Sequence, residues 1–277
     1  NLETWRNGGG RESAILYSGY FTNYQGRTFP AHRISKALMT DICTSLEESG
    51  KKNATINRFI SAVSTVLKFC KENEVITFDL PTPFKRRKER DKTVRKYYTK
   101  EQVKEMLRIS KDYMFRDDLH DLILAASLTG MRLSELLKLP AWAVDFNLGV
   151  INVEMTKNEE ARCVPIHPKL RSTLIKRCED APPKGYPGVK VFGNDWKNAD
   201  AVRWQFGQLI HKHMDFPDDG TYVFHCLRHS FATWQLAGGC PPIDLMSILG
   251  HRHLQTTMVY AKPTDDGKRN SMNKLEF

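Results

Sequence analysis

No uninterrupted apolar run in these 277 residues approaches the roughly 18 that a membrane span requires. The opening stretch NLETWRNGGGRES has neither an initiator Met nor the apolar core of a signal peptide, so Asn1 is read as the start of a fragment or processed chain. The six cysteines (Cys43, Cys70, Cys163, Cys178, Cys226, Cys240) include no C-x-x-C pair and are scattered, which points to free thiols in a reducing compartment rather than a disulfide framework. H-E-x-x-H, G-x-S-x-G, P-loop and dinucleotide-glycine motifs are all missing. Zinc-peptidase, serine-hydrolase, ATP and NAD chemistry therefore have no visible seat. There is no internal repeat and no low-complexity tract.

Acidic side chains are also in short supply: 32 Asp and Glu face 42 Lys and Arg, a net charge of +10. The imbalance is uneven, with 18 basic against 10 acidic residues over 1–98 and 24 against 22 over the remainder. It is densest in KRRKERDKTVRK, which holds Lys85, Arg86, Arg87, Lys88, Arg90, Lys92, Arg95 and Lys96. Such a run suits a polyanion, because each phosphate it neutralises releases condensed counterions. A solvated linker is the ordinary alternative for a basic run.

The apolar pattern up to about Asn73 is helical. Ala14, Ile15, Tyr17, Tyr20, Phe21 and Tyr24 form one face, and Ala37, Leu38, Ile42 and Leu46 a second, ended near Gly50. Asn53 reads as the N-cap of a third helix carrying Ile56, Phe59, Ile60, Val63, Leu67 and Cys70. Two prolines and the charge run then interrupt the pattern. This gives a helical domain over 1–80, a basic linker over 81–96, a second domain over 97–261 and a tail over 262–277. Thr99 and Gln102 fit a capping box. Helices are expected over 100–110, 117–129, 132–138, 168–178, 199–213, 226–237, 242–249 and 253–261, with Val/Ile alternation over 143–166 reading as a small antiparallel sheet. The class is mainly α with a small antiparallel β-sheet (α+β).

The chemistry concentrates in HCLRHSFAT (from His225) and LGHRHLQTTMVY (to Tyr260), with TGMRLSELLKL upstream. Arg132 and Arg228 are each ordinary surface candidates alone; as a pair, their guanidinium groups could clamp a phosphate through paired N–H donors. Glu135, one turn after Arg132, could fix that guanidinium. Tyr260 closes an apolar helix and could simply be core, but as a nucleophile it would need a proton acceptor and a positive site. His225 is the candidate acceptor and His251 a candidate donor to a phosphate oxygen. Lys157, near the hairpin turn, is a candidate acid for the leaving oxygen. The His225-x3-His229 and His251-x-His253 spacings suggest metal, but no carboxylate or cysteine stands where it would complete a site.

The ordered set TGMRLSELLKL, TKNEEARCVPI, HCLRHSFAT and LGHRHLQTTMVY resembles the tyrosine recombinase (phage integrase) family, over about Thr99–Ala261. The resemblance implies a helical core-binding domain ahead of the catalytic domain. It implies Arg132, Lys157, His225, Arg228, His251 and Tyr260 as the catalytic residues, Glu135 as support, and no metal or other cofactor. It further implies a site-specific recombinase, an integrase of a phage or integrative element, in which Tyr260 becomes joined to a DNA 3′-phosphate and releases a 5′-hydroxyl. The partners implied are double-stranded DNA at attachment or core sites, three further copies in a tetramer passing through a Holliday junction, and accessory DNA-bending proteins. The setting implied is the cytoplasm of a bacterial host, at the nucleoid. A tail such as 262–277 would dock on a neighbouring subunit, with Leu275 and Phe277 as anchors, a disordered tail being the equal alternative, and an arm-binding domain would precede Asn1. A type IB topoisomerase and a non-catalytic DNA-binding regulator are the competing readings.

Overall fold

The computed structural model describes residues 10–89, 96–112, 117–154, 161–179 and 188–261, and divides into two units, Asn1–Thr93 and Val94–Phe277. It is mainly helical with one small antiparallel sheet, as expected. Among the described residues no helix is long and apolar enough to cross a membrane.

In the first unit, α1 (Gly10–Gln25), α2 (Lys36–Glu48) and α3 (Asn53–Glu72) surround a core of Tyr17, Met39, Ile42, Ile56, Phe59, Ile60 and Leu67. Each large side chain fully buried there contributes roughly 1.5–3 kcal/mol. Ser35 caps α2 by accepting the Leu38 N–H at 3.1 Å. Gly50, at φ +80°, lets the chain turn out of that helix where a side chain would be strained. Two expectations need correction. Ile15 and Tyr24 face solvent, because α1 buries only the stripe through Tyr17, Tyr20 and Phe21. Asn53 is the first residue of α3 rather than its cap; Lys52 takes the cap position, and the Asn53 amide donates to the Lys88 carbonyl at 2.8 Å.

That bond is part of a larger departure from the expected linker. Phe84 is buried in the core of the first unit, and the backbone of Arg87 is gripped by Asn57, which accepts its N–H at 2.8 Å and donates to its C=O at 2.9 Å. A side-chain amide offers one donor and one acceptor, so it fits an extended peptide as a sheet neighbour does. The Arg87 guanidinium reaches Thr44 and Glu47, and Arg86 donates to Ser61. Lys85 and Lys88 are exposed. The described chain up to 89 thus lies along α3. Arg90, Lys92 and Arg95 fall outside the described residues, and Lys96, exposed, belongs to the second unit.

The second unit opens at Tyr98, wholly buried among Phe206, Phe216 and Tyr222. The Thr99–Gln102 capping box then starts α4 (Lys100–Asp112), with Gln102 Oε1 accepting the Thr99 N–H at 2.8 Å and Thr99 Oγ1 accepting the Gln102 N–H at 3.2 Å. α5 (Asp117–Thr129) is buried along much of its length and runs into α6 (Leu133–Lys138). The sheet is β1 (Val144–Asp145), β2 (Val150–Val153) and β3 (Arg162–Pro165), antiparallel in that order, with Ile151 opposite Val164 and Val153 opposite Arg162. β1 is only two residues long, because the Asp145 carboxylate accepts the N–H groups of Asn147 and Leu148 at 2.9 and 2.8 Å and turns the chain at once toward β2. α7 (Pro168–Cys178), α8 (Ala199–His213), α9 (Cys226–Ala237), α10 (Pro242–Leu249) and α11 (Leu254–Met258) follow. α5 packs on both α4 and α9, so the chain bearing Arg132 and the helix bearing Arg228 are joined through one core.

Candidate active site

Arg132 owes its place to the turn between α5 and α6. Thr129 closes α5 by donating to the Ala125 carbonyl at 2.6 Å, and its oxygen accepts the Met131 N–H at 3.2 Å. Gly130 sits at φ +64°, and a Cβ there would come within 2.4 Å of Phe231. Only glycine meets both demands. Arg132 is then the N-cap of α6, and its N–H donates to Glu135 Oε2 at 2.7 Å. The Arg132 side chain is 35% exposed and its Nη1 lies 3.6 Å from Glu135 Oε1.

Glu135 does more than support Arg132. Its buried carboxylate takes both terminal nitrogens of Arg162, Nη1 to Oε1 at 3.1 Å and Nη2 to Oε2 at 2.9 Å. No motif in the sequence singles out Arg162, although strand alternation sets it on the same inward face of β3 as Val164. An inward-facing arginine needs a buried acid.

Arg228 is 2% exposed, at the buried face of α9. Its Nη1 donates to the Gly130 carbonyl at 2.8 Å, and its Nη2 donates to the Leu249 carbonyl at 2.7 Å and meets His251 Nε2 at 3.0 Å. A guanidinium only donates, so His251 Nε2 accepts. The proton of that neutral ring is then on Nδ1, which faces Thr257 Oγ1 at 2.9 Å. His251 is thus oriented by Arg228 and Thr257. This differs from the expectation that it simply donates to a phosphate oxygen, which from Nε2 requires a second proton or a turned ring.

Tyr260 follows α11 in a turn, its N–H donating to the Thr257 carbonyl at 3.0 Å. It packs with Phe231, Leu245 and Leu249 and is only 6% exposed. Its ring stacks on His251, and its hydroxyl lies 2.9 Å from His229 Nδ1. The proton acceptor expected was His225; the histidine placed on the phenol oxygen is His229, one helical turn on. The His225 ring meets the His229 ring edge to face, at 4.7 Å between centroids. The signal for His229 was present in H-x-x-R-H, since residues 225 and 229 share a helix face.

Arg132 and His225 line a common open groove of ≈ 580 Å³, with Arg203, Trp204, Tyr222 and Val223 on its walls. Lys157 and the tail residues Leu275 and Phe277 lie outside the described residues. Among the described residues no three His, Cys, Asp or Glu side chains gather as a metal site would require. The arrangement sets a phenol oxygen against an imidazole nitrogen and holds two arginines, one at the N-cap of α6 and one within α9, joined through the Gly130 carbonyl. These are the parts of an anionic acyl- or phosphoryl-type transfer.

Comparison with known proteins agrees with that chemistry. Residues 96–266 match the model of the phage integrase family. The tyrosine recombinase XerA of Pyrococcus furiosus is 31% identical over 177 residues, covering 62% of this chain and 59% of that protein. The tyrosine recombinase XerC of Bacillus pumilus is 28% identical over 290 residues, covering 93% of this chain and 88% of that protein. In fold, the chain is similar to the Tn1549 transposon integrase solved in complex with transposon right end DNA, with a TM-score of 0.69 over 95% of this chain and 99% of that one at 20% identity. With its family model matched over more than half its length, the chain belongs to the phage integrase family, the tyrosine recombinases.

Proposed function

We propose that this chain is a site-specific DNA recombinase, an integrase of a phage or integrative element, that cuts and rejoins duplex DNA with Tyr260 as its nucleophile. The observation that carries the reading is the run of contacts from His229 to the Tyr260 hydroxyl, from the Tyr260 ring to the His251 ring stacked on it, and from His251 to Arg228, at 2.9–3.0 Å for its two hydrogen bonds.

In the reaction the Tyr260 oxygen attacks the scissile phosphorus. The phenol proton passes to His229, the new O–P bond joins Tyr260 to the 3′-phosphate, and the bond from phosphorus to the 5′-oxygen breaks. Lys157 supplies the proton that the leaving oxygen takes up. A 5′-hydroxyl from a second duplex reverses these steps. The phosphodiester energy is held in the phosphotyrosyl ester, so the exchange needs no nucleotide and no metal. Arg132, Arg228 and His225 meet the charge that builds on the non-bridging oxygens. Donors preset for such charge are often the largest single contribution to a rate.

The first unit would serve as the core-binding domain, with its Lys85, Arg86, Arg87, Lys88, Arg90 and Lys92, and Arg95 and Lys96 at the start of the second unit, along the DNA backbone. Strand exchange would run in a homotetramer at paired core sites, with accessory bending proteins, at the bacterial nucleoid. The test is covalent trapping on nicked duplexes tiled from the DNA flanking the gene, followed by a denaturing gel. A protein–DNA band on one duplex locates the crossover site. Retarded but uncleaved complexes on a native gel would instead favour a non-catalytic DNA-binding regulator.

A further inference from the structure

We infer that Arg162 is a positioning residue for the reaction, setting Arg132 through Glu135 and the His251 turn through Ile248. The inference rests on the recombinase reading above.

Arg162 joins three segments that are distant in sequence. It stands on β3, its terminal nitrogens grip Glu135 on α6, and its Nε donates to the Ile248 carbonyl in the last turn of α10 at 2.8 Å. Its side chain is 4% exposed. The Arg132 side chain, by contrast, opens to the groove. Arg162 therefore acts from behind and does not itself meet DNA.

Glu135 is shared between the two arginines. The oxygen that accepts the Arg132 N–H also accepts from Arg162 Nη2. Without that second guanidinium the carboxylate keeps its charge but loses the bidentate contact that fixes its rotamer, and the cap on Arg132 shifts with it. On the other side, Gly250 turns the chain from α10 to His251 at φ +71°, and a Cβ there would lie 3.0 Å from Arg162 Cδ and Nη1. The Arg162 side chain thus lies along the turn that delivers His251 to Arg228. One buried fork braces both halves of the phosphate-facing machinery.

Arg162→Lys tests this, because it keeps the positive charge beside Glu135 but one ammonium cannot hold both Glu135 oxygens and the Ile248 carbonyl. The variant is compared with the wild type on a nicked duplex bearing the mapped crossover site, once with the normal scissile phosphate and once with a methylphosphonate there. The neutral methylphosphonate lessens the need for well-placed arginines. We expect native-gel binding unchanged and cleavage of the normal phosphate slowed about 10- to 100-fold. On the methylphosphonate the defect should shrink by about tenfold, as it should for Arg132→Ala. A wild-type rate on the normal phosphate, or the same loss on both substrates, overturns the inference. Since Arg162→Lys could fail to fold, Glu135→Gln is run beside it; it lacks the shared charge but keeps the shape, and must show the same substrate-dependent loss. Absence of any adduct from the wild type overturns the recombinase reading and this inference with it.

Discussion

The hydroxyl of Tyr260 lies 2.9 Å from Nδ1 of His229, a histidine on the turn of α9 that also carries Arg228. That distance is within reach for direct proton transfer. On that geometry we propose His229, rather than His225, as the base. His229→Ala should slow single-turnover cleavage by about 10²-fold or more while leaving DNA binding intact. A quench-flow measurement giving the wild-type rate would assign the proton elsewhere.

Arg228 holds two carbonyls and His251 from one buried guanidinium. Lysine in its place keeps the charge and loses the fork. Arg228→Lys should lower cleavage by about 10²-fold or more, as loss of a preset donor does. It should also cost roughly 1–3 kcal/mol in chemical denaturation, because the Gly130 and Leu249 carbonyls are left under-satisfied. Loss of stability with undiminished cleavage would make Arg228 structural only.

Gly130→Ala meets two obstacles, a positive φ and Phe231 at 2.4 Å from the added methyl. The combined penalty is about 2–4 kcal/mol, readable as a lower urea midpoint at an unchanged slope. The displaced turn carries Arg132, so cleavage should fall as well. An unshifted midpoint would mean that the turn adapts freely.

On α5, Asp121 receives Arg177 Nε at 2.7 Å and lies 3.1 Å from His120 Nδ1. Burial opposes its ionisation, but the hydrogen bonds from His120 and Arg177 outweigh it and hold the carboxyl below its usual value. A depressed folded-state pKa stabilises the fold above the unfolded value of about 3.9, and that contribution is lost as pH falls through the folded value. Asp121→Asn should therefore cost about 1–3 kcal/mol at pH 7 and progressively less below pH 4. Parallel melting curves for variant and wild type across that range would contradict the assignment.

Local rules account for much of this fold. The Thr99–Gln102 box, the turn at Gly50 and the Val/Ile alternation of β2 and β3 each depend on residues a few positions apart, and each is found where periodicity and capping put it. What stayed hidden is long-range. Glu135 and Arg162 are 27 positions apart, and no local pattern pairs them. Arg87 looked like free charge in a linker because Glu47 and Asn57, its partners, sit on two earlier helices. Spacing does not separate His225 from His229, since both lie on one face; the approach of Tyr260 to His229 spans 31 positions and has no local signature.

The most direct test is which residue, and which DNA end, the covalent complex joins. A nicked duplex labelled at the 5′ end of the cleaved strand is incubated with the wild type and with Tyr260→Phe, and the adduct is digested for peptide mass spectrometry. The labelled strand should remain on the wild-type protein, linked through its 3′-phosphate to the peptide containing Tyr260, with no adduct from the variant. An adduct that survives Tyr260→Phe, or one joined to a 5′-phosphate, would contradict the account at its centre.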